Sequence, residues 1–168
     1  MPNWADGNIR FRGKPEKIME LLENEIECTA TNKDFEVVSF KPVIEWDELD
    51  EITFTEPEEA KKENNFWKSL YIKGTRRNFI DGITGLYLPM DEEKWILIVE
   101  NFKAAWSVDP EPYVEKSKKY GVDIAIVVYE CGCEFRQRIE IIGGELVKDE
   151  VTEYDDWNWE ADFPNMGG

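Results

Sequence analysis

KWILIVENFKAAW (94–106), SVDPEPYVEKSKKYG (107–121), VDIAIVVYE (122–130), CGC (131–133) and EFRQRIEIIGGELVKDEV (134–151) form the stretch of sequence that decides the fold. The first piece alternates and is rich in Trp, Ile, Val and Phe, a pattern typical of a β-strand. In the second piece, Ser107 or Asp109 can cap a helix and Pro110 suits its first turn. Gly121 can end that helix in the left-handed conformation.

Two or three further strands follow this helix. They turn at Cys131–Cys133 and at Gly143–Gly144, where glycine relieves a tight reversal of the chain. The stretch therefore predicts a strand–helix–strand–strand unit of the α+β class, built around one sheet.

The N-terminal part predicts a similar unit. Asn8–Gly13 alternates like a short strand, and Lys14–Glu27 reads as a helix. One apolar stripe supports that helix and consists of Ile18, Leu21, Leu22 and Ile26. Phe35–Glu45 reads as a second strand, with Pro42 at a bulge or an edge. We therefore predict an antiparallel sheet of at least four strands, with the helices Lys14–Glu27 and Pro110–Tyr120 on one face.

Residues 46–91 are interpreted as an insertion between the two halves of this sheet. Within them, Lys61–Tyr71 reads as a helix and Gly85–Leu88 as a short strand. The only basic cluster that the sequence indicates also lies here and consists of Lys61, Lys62, Lys68, Lys73, Arg76 and Arg77. Of these, Lys73, Arg76 and Arg77 are a candidate anion-binding group. We expect residues 1–168 to form a single domain, with an acidic and aromatic segment at about 149–168.

Composition narrows the classes of function. The chain has 37 acidic and 20 basic residues, a net charge of −17 and no histidine. Such a charge repels nucleic acid and anionic membranes, and the missing histidine removes the usual general base near neutral pH. There is no run of about 18 apolar residues and no signal-like segment, so we expect a cytoplasmic protein with no membrane partner.

Two stretches resemble a known family. Both are similar to the YubB-type ferredoxin-like proteins of plasmids and phages. The first stretch is the opening MPNW, followed by Asn8, a strand, a glycine and a helix. The second is FKAAWSVDP, followed by a helix, IAIVVYE and a turn into EF. The resemblance covers roughly residues 1–30 and 94–150. It implies a ferredoxin-like α+β sheet and a mobile-element origin. It implies no catalytic residues.

Two acidic stretches carry most of the negative excess. Eight acids lie from Glu45 to Glu59 and seven from Asp149 to Asp162, and aromatic residues are interleaved with both sets. Aromatic anchors supply binding energy at interfaces, while charge supplies steering. The candidate partner-binding residues are Glu45, Asp47, Glu48, Asp50, Glu51, Asp149, Glu150, Glu153, Asp155, Asp156, Trp157 and Trp159. The alternative is a solvated coat that only keeps the protein soluble.

Other chemistries have weaker signals. Cys131 and Cys133, with Cys28 as a third thiol, are one ligand short of a closed zinc site, so we predict no metal, no obligatory disulfide and no cofactor. Adjacent carboxylates such as Asp155/Asp156 suit Mg²⁺ in a nuclease, yet such pairs arise by chance among so many acids.

The favoured hypothesis is a non-enzymatic binding or inhibitor protein from a mobile genetic element. Its acidic surface would imitate nucleic acid and block a basic host protein, such as a CRISPR effector or another defence nuclease. One alternative is a nucleic-acid-binding or nucleic-acid-processing protein that uses Lys61–Arg77. Another is an accessory structural domain.

Overall fold

A computed structural model describes residues 3–31, 34, 36–46, 51–62, 67–80, 84–89 and 93–168. The strands in these residues are β1 (Trp4–Gly13), β2 (Ile26–Thr31), β3 (Val37–Phe40), β4 (Val43–Trp46), β5 (Glu51–Thr55), β6 (Trp67–Ile72), β7 (Asn78–Ile80), β8 (Thr84–Pro89), β9 (Trp95–Ala105), β10 (Asp123–Glu130), β11 (Phe135–Ile142) and β12 (Glu145–Glu153). The helices are α1 (Pro15–Glu25), α2 (Glu58–Lys62), α3 (Glu111–Tyr120) and α4 (Trp157–Glu160).

The strands form one antiparallel sheet that branches at β9. Nine strands follow the order β12-β11-β10-β1-β9-β7-β6-β2-β3. One edge of β9 pairs along its length with β1, whereas the other edge pairs with β7 and with β8. Strand β8 continues into a second branch through β5 and β4. The sheet is therefore wide, and β12 ends one side of it.

The predicted fold class is wrong. The chain is mostly β, and its helices of 11, 5, 10 and 4 residues are too few and too short for a ferredoxin-like α+β fold with two helices and a central insertion. The predicted insertion includes β6 and β7, which lie inside the sheet between β2 and β9. Short strands of this kind are fixed by their partners across the sheet, so their own sequence signals them weakly.

The individual helices and strands agree with those predicted from the sequence more closely than the observed fold class agrees with the predicted one. Helix α3 ends where Gly121 adopts φ 67°, and the short strand expected at Gly85–Leu88 is β8. The predicted strand from Phe35 to Glu45 is divided at Pro42 into β3 and β4, and Phe35 itself lies outside the described residues. The helix predicted at Lys61–Tyr71 is wrong, because residues 67–72 are β6.

The core lies against one face of the sheet. Helix α1 contributes its stripe of Ile18, Leu21 and Leu22, and α3 contributes Tyr113 and Tyr120. These side chains pack on alternate residues of the central strands, which are Ile9, Phe11, Leu97, Val99, Ile124, Ile126, Ile139 and Ile141. The intervening residues of the same strands belong to the opposite face, called here the open face.

A charged network joins the two long helices. Glu25 accepts hydrogen bonds from Lys119 Nζ at 2.8 Å and Tyr120 Oη at 2.7 Å, and Lys116 Nζ lies 3.3 Å from its carboxylate. Burial alone would raise the pKa of Glu25, but these hydrogen bonds and the charge of Lys116 lower it to about 2. The network therefore fixes the end of α1 against α3 through an ionised carboxylate.

No helix within the described ranges is both long and apolar enough to cross a membrane.

Candidate functional site

Strand β12 lies at one edge of the sheet and contains the first part of the acidic C-terminal stretch. A two-residue turn at Gly143 and Gly144, with φ of 61° and 79°, connects it to β11. Both residues need positive φ in such a turn, and this requirement explains the glycine pair. Seven of the nine residues of β12 are exposed, and Lys148 and Thr152 are half-buried. Among the described strands, β11 is the sole neighbour of β12, so the outer edge of β12 is unpaired within that part of the chain.

The acidic side chains of β12 point to both sides of this edge. Glu150 lies opposite Arg138 on the open face, and Glu153 lies opposite Phe135. Asp149 lies opposite Ile139 and accepts a hydrogen bond from Gln137 Nε2 at 2.9 Å. Asp149 thus has a structural partner in Gln137, and the exposed carboxylate of Glu150 lies 3.6 Å from Lys148 Nζ. Glu153 is exposed at the same edge.

The acidic surface continues past the end of the strand. Asp155 and Asp156 are exposed in the turn before α4. Glu160 Oε2 accepts the backbone N–H groups of Asp155 at 3.2 Å and Asp156 at 3.5 Å, which holds the turn in place. We call Glu145, Glu150, Glu153, Asp155 and Asp156 the acidic edge.

The two tryptophans predicted as partner anchors lie in different environments. Trp157 is 4% exposed and packs on Tyr129 and Tyr154, and its Nε1 donates to Pro164 O at 2.9 Å. Trp159 is 87% exposed. Trp157 therefore holds the C-terminal segment on the sheet, and of the two tryptophans Trp159 is the one available to a partner.

The first acidic stretch lies on a different part of the sheet. Glu45 is exposed in β4 and Glu51 belongs to β5, while Asp47, Glu48 and Asp50 lie outside the described residues. Strand β5 is separated from β12 by six strand spacings, which is roughly 29 Å measured along the sheet. The structure does not bring these two sets of predicted residues together.

The predicted anion-binding group occupies the turn between β6 and β7. Lys73 Nζ lies 3.3 Å from a carboxylate oxygen of Glu27. The guanidinium of Arg76 lies 5.3 Å from the ring centre of Trp106, and that of Arg77 lies 5.5 Å from Trp4. Both arginines thus stack on aromatic rings, in cation–π contacts.

Sequence reasoning missed a second group of arginines on the open face. Arg10 and Arg12 of β1 and Arg136 and Arg138 of β11 all project there, on either side of the small or apolar residues of β10. The signal was present in the sequence, because each of these two strands contains the pattern Arg-x-Arg, which places both arginines on one face.

These arginines and their neighbours line two adjoining clefts, called here the two lobes of the arginine groove. One lobe has a volume of about 310 Å³ and the other about 560 Å³, and Arg10 and Arg138 line both. Arg12 contacts Asp123 at 2.7 Å, Arg138 contacts Glu140 at 2.6 Å, and Arg136 lies 3.7 Å from Asp162. Within a chain of charge −17, four of its six arginines are therefore collected on one face.

The cysteine turn is ordered by a buried carboxylate. Glu130 is fully buried and accepts the backbone N–H groups of Gly132 at 2.7 Å and Cys133 at 2.6 Å. A hydrogen bond to Glu130 and the negative charge of that carboxylate raise the pKa of the Cys133 thiol. Cys28 is buried in β2, and the described residues contain no cluster of three His, Cys, Asp or Glu suited to a metal ion.

No protein-family model, no curated protein sequence and no solved structure matches the chain. The resemblance to YubB-type proteins thus stays a prediction, and the inference of function rests on the acidic edge and the arginine groove.

Proposed function

We propose that this protein is a non-enzymatic binding protein of a mobile genetic element, which acts in the cytoplasm and engages a basic surface of a host protein through its acidic edge. The partner class is a protein that normally binds nucleic acid, such as a CRISPR effector or another defence nuclease. The acidic edge would occupy the groove that the partner uses for the phosphate backbone.

The observation that carries the proposal is the position of the acids on a free strand edge. Residues 145–162 contain eight acids and one lysine, and the exposed members follow β12 into the turn at Asp155–Asp156. A strand advances about 3.4 Å per residue, which equals the axial spacing of phosphates along one strand of duplex DNA. The edge can therefore present carboxylates along its length, on both sides of the strand and at a lower density than the phosphates of DNA.

Charge of this kind also has a purely protective role. Acidic side chains on an edge strand prevent it from pairing with the edge of another molecule. That role would suit the alternative of an accessory structural domain. The two functions differ in one respect. Protection of the strand edge needs no partner, whereas mimicry of nucleic acid needs a partner protein that duplex DNA can displace from the acidic edge.

The alternative that uses Lys61–Arg77 for nucleic acid has less support. Lys61 lies 2.7 Å from Glu58 and Lys73 lies 3.3 Å from Glu27, so both amines are already paired with carboxylates.

The test is capture of a partner from a nuclease-treated bacterial lysate, followed by displacement with duplex DNA. The wild-type protein should retain a basic protein at 50 mM salt, and DNA should release it. Asp155→Lys/Asp156→Lys should retain much less of it. The matched control is Glu23→Lys/Glu115→Lys, which changes the net charge equally at exposed positions of α1 and α3. Equal capture by both double variants, or a complex that DNA leaves intact, would exclude the mimicry proposal.

A further inference from the structure

We propose that the groove on the open face binds a small organic anion that carries one carboxylate and an apolar body, with Arg10 as the receptor for the carboxylate. This site is separate from the acidic edge, and the proposal does not depend on the function proposed for that edge.

The register of the strands places Arg10 beside an apolar strip. Arg10 lies opposite Ala125 of β10, and Arg138 of β11 lies opposite Val127 of the same strand. Strands β1 and β11 are two strand spacings apart, which is roughly 9.6 Å. The two guanidinium groups thus stand on either side of β10, and a ligand lying over Ala125 and Val127 is within reach of both.

Arg10 differs from its three neighbours in its pairing. Arg12, Arg136 and Arg138 each have a carboxylate within 4 Å, as described above. Within the described part of the chain, the contact of the Arg10 guanidinium is the hydrogen bond from its Nε to Asn8 Oδ1 at 3.0 Å. That bond orients the side chain and leaves its two terminal NH₂ groups for a ligand. A guanidinium presents parallel N–H groups that match a carboxylate in two hydrogen bonds.

The rest of the rim limits the charge of the ligand. Asp123, Glu140, Glu100 and Asp162 line the two lobes and offset the four arginines. A polyanion such as single-stranded nucleic acid would place its further phosphates beside these carboxylates, which repel them. A ligand with a single negative charge avoids this repulsion, so the charge pattern favours a monoanion over nucleic acid.

One side of the larger lobe offers apolar side chains to the body of the ligand. Its floor includes Ile98 and Val127, and its wall includes Tyr129, Phe163 and Met166. The wall is fixed, because Trp157 Nε1 donates to Pro164 O at 2.9 Å and the backbone N–H of Gly168 donates to Trp4 O at 2.9 Å. The lobe thus combines these apolar side chains with polar and charged ones, and its volume of about 560 Å³ falls within the range of small-molecule sites.

The test uses 2-naphthoate as the probe, and its neutral counterpart 2-naphthylmethanol as the control for the charge. Calorimetric titration should show saturable binding of 2-naphthoate to the wild-type protein, at least tenfold tighter than binding of 2-naphthylmethanol. Amide chemical shifts of Val127 and Tyr129 should change during the titration, which locates the probe in the groove.

Arg10→Gln should weaken binding of 2-naphthoate at least tenfold and leave binding of the alcohol unchanged. Lys118→Gln is the matched control, because it removes one positive charge at an exposed position of α3 outside the groove, and it should bind as the wild type does. If Arg10→Gln loses its melting transition, Arg10→Lys replaces it and should still weaken binding, since an ammonium lacks the two parallel donors. Absence of saturable binding up to 10 mM, equal binding of carboxylate and alcohol, or equal binding by the Arg10 and Lys118 variants would overturn the proposal.

Discussion

Glu25 should contribute stability that depends on pH in a defined way. Its pKa is about 2 in the folded protein, against an ordinary value of 4.5. Because the folded value is the lower one, the stabilisation is fully present above pH 4.5 and disappears as the pH falls towards 2. The difference corresponds to about 3 kcal/mol. Since Lys119 is 63% exposed and partly screened by solvent, we expect about 2 kcal/mol.

Glu25→Gln removes the charge and keeps nearly the same shape. At pH 7 it should lower the free energy of unfolding by about 2 kcal/mol, since Lys116, whose side chain is 10% exposed, loses its carboxylate partner. At pH 2.5 the loss should shrink to about 0.5 kcal/mol, because Glu25 is then protonated in the unfolded chain and, close to its folded pKa of about 2, only partly protonated in the folded protein. Glu23→Gln on the same helix is the control, because its carboxylate is half exposed and lies 3.9 Å from Lys41, so its effect should stay within 0.5 kcal/mol at both pH values.

Urea unfolding followed by circular dichroism measures these free energies at each pH. The difference between wild type and variant isolates Glu25 from the other carboxylates, whose protonation also lowers the self-repulsion of the chain. A loss of the same size at pH 7 and pH 2.5 would refute the electrostatic account, and so would a loss below 0.5 kcal/mol at pH 7.

Three further predictions follow from single contacts. Trp157→Ala should lower the free energy of unfolding by about 3 kcal/mol, because the ring is buried, whereas Trp159→Ala should change it by less than 0.5 kcal/mol. Similar effects of the two substitutions in urea unfolding would contradict the assignment of Trp157 to the core and Trp159 to the surface. In a variant that keeps Cys133 as its one cysteine, alkylation by iodoacetamide at pH 8 should be slower than that of free cysteine, because Glu130 raises the thiol pKa, and a faster reaction would argue against that contact. Gly121→Ala should cost about 1 kcal/mol through its positive φ alone, since nothing lies within 4 Å of an added Cβ; an unchanged melting temperature would mean that α3 ends differently.

The sequence predicted elements better than it predicted their arrangement. The order β9–α3–β10–β11 was evident from alternation and from Gly121, because these signals are local, whereas the sequence left open whether β12 follows as a third strand. The end of α1 was not evident. Ile26 continues the helical stripe, yet it begins β2, where it lies opposite Ile72 of β6. Pairing with a distant strand decided this boundary, and a single sequence contains little information on such pairing.

For the candidate site, too, the sequence predicted local features but not the contacts between distant residues. Net charge located the acidic residues of β12, but it gave no means of separating Trp157 from Trp159. Both stand among acids in the sequence, and the difference between them arises from Tyr129, a residue of β10 that covers one and not the other. The arginine groove was missed because each Arg-x-Arg pair looks like an ordinary exposed face until β1 and β11 are placed on either side of β10.

The central claim is that the acidic edge binds a basic groove of a partner, and the rate of association tests it most directly. With the captured partner immobilised, the association rate constant should fall steeply between 0.05 and 0.5 M salt, because the Debye length shortens and steering weakens. Asp155→Lys/Asp156→Lys should lower the rate at low salt by at least tenfold, and Glu23→Lys/Glu115→Lys should lower it far less. A rate that is independent of salt, or that both double variants reduce equally, would contradict the account.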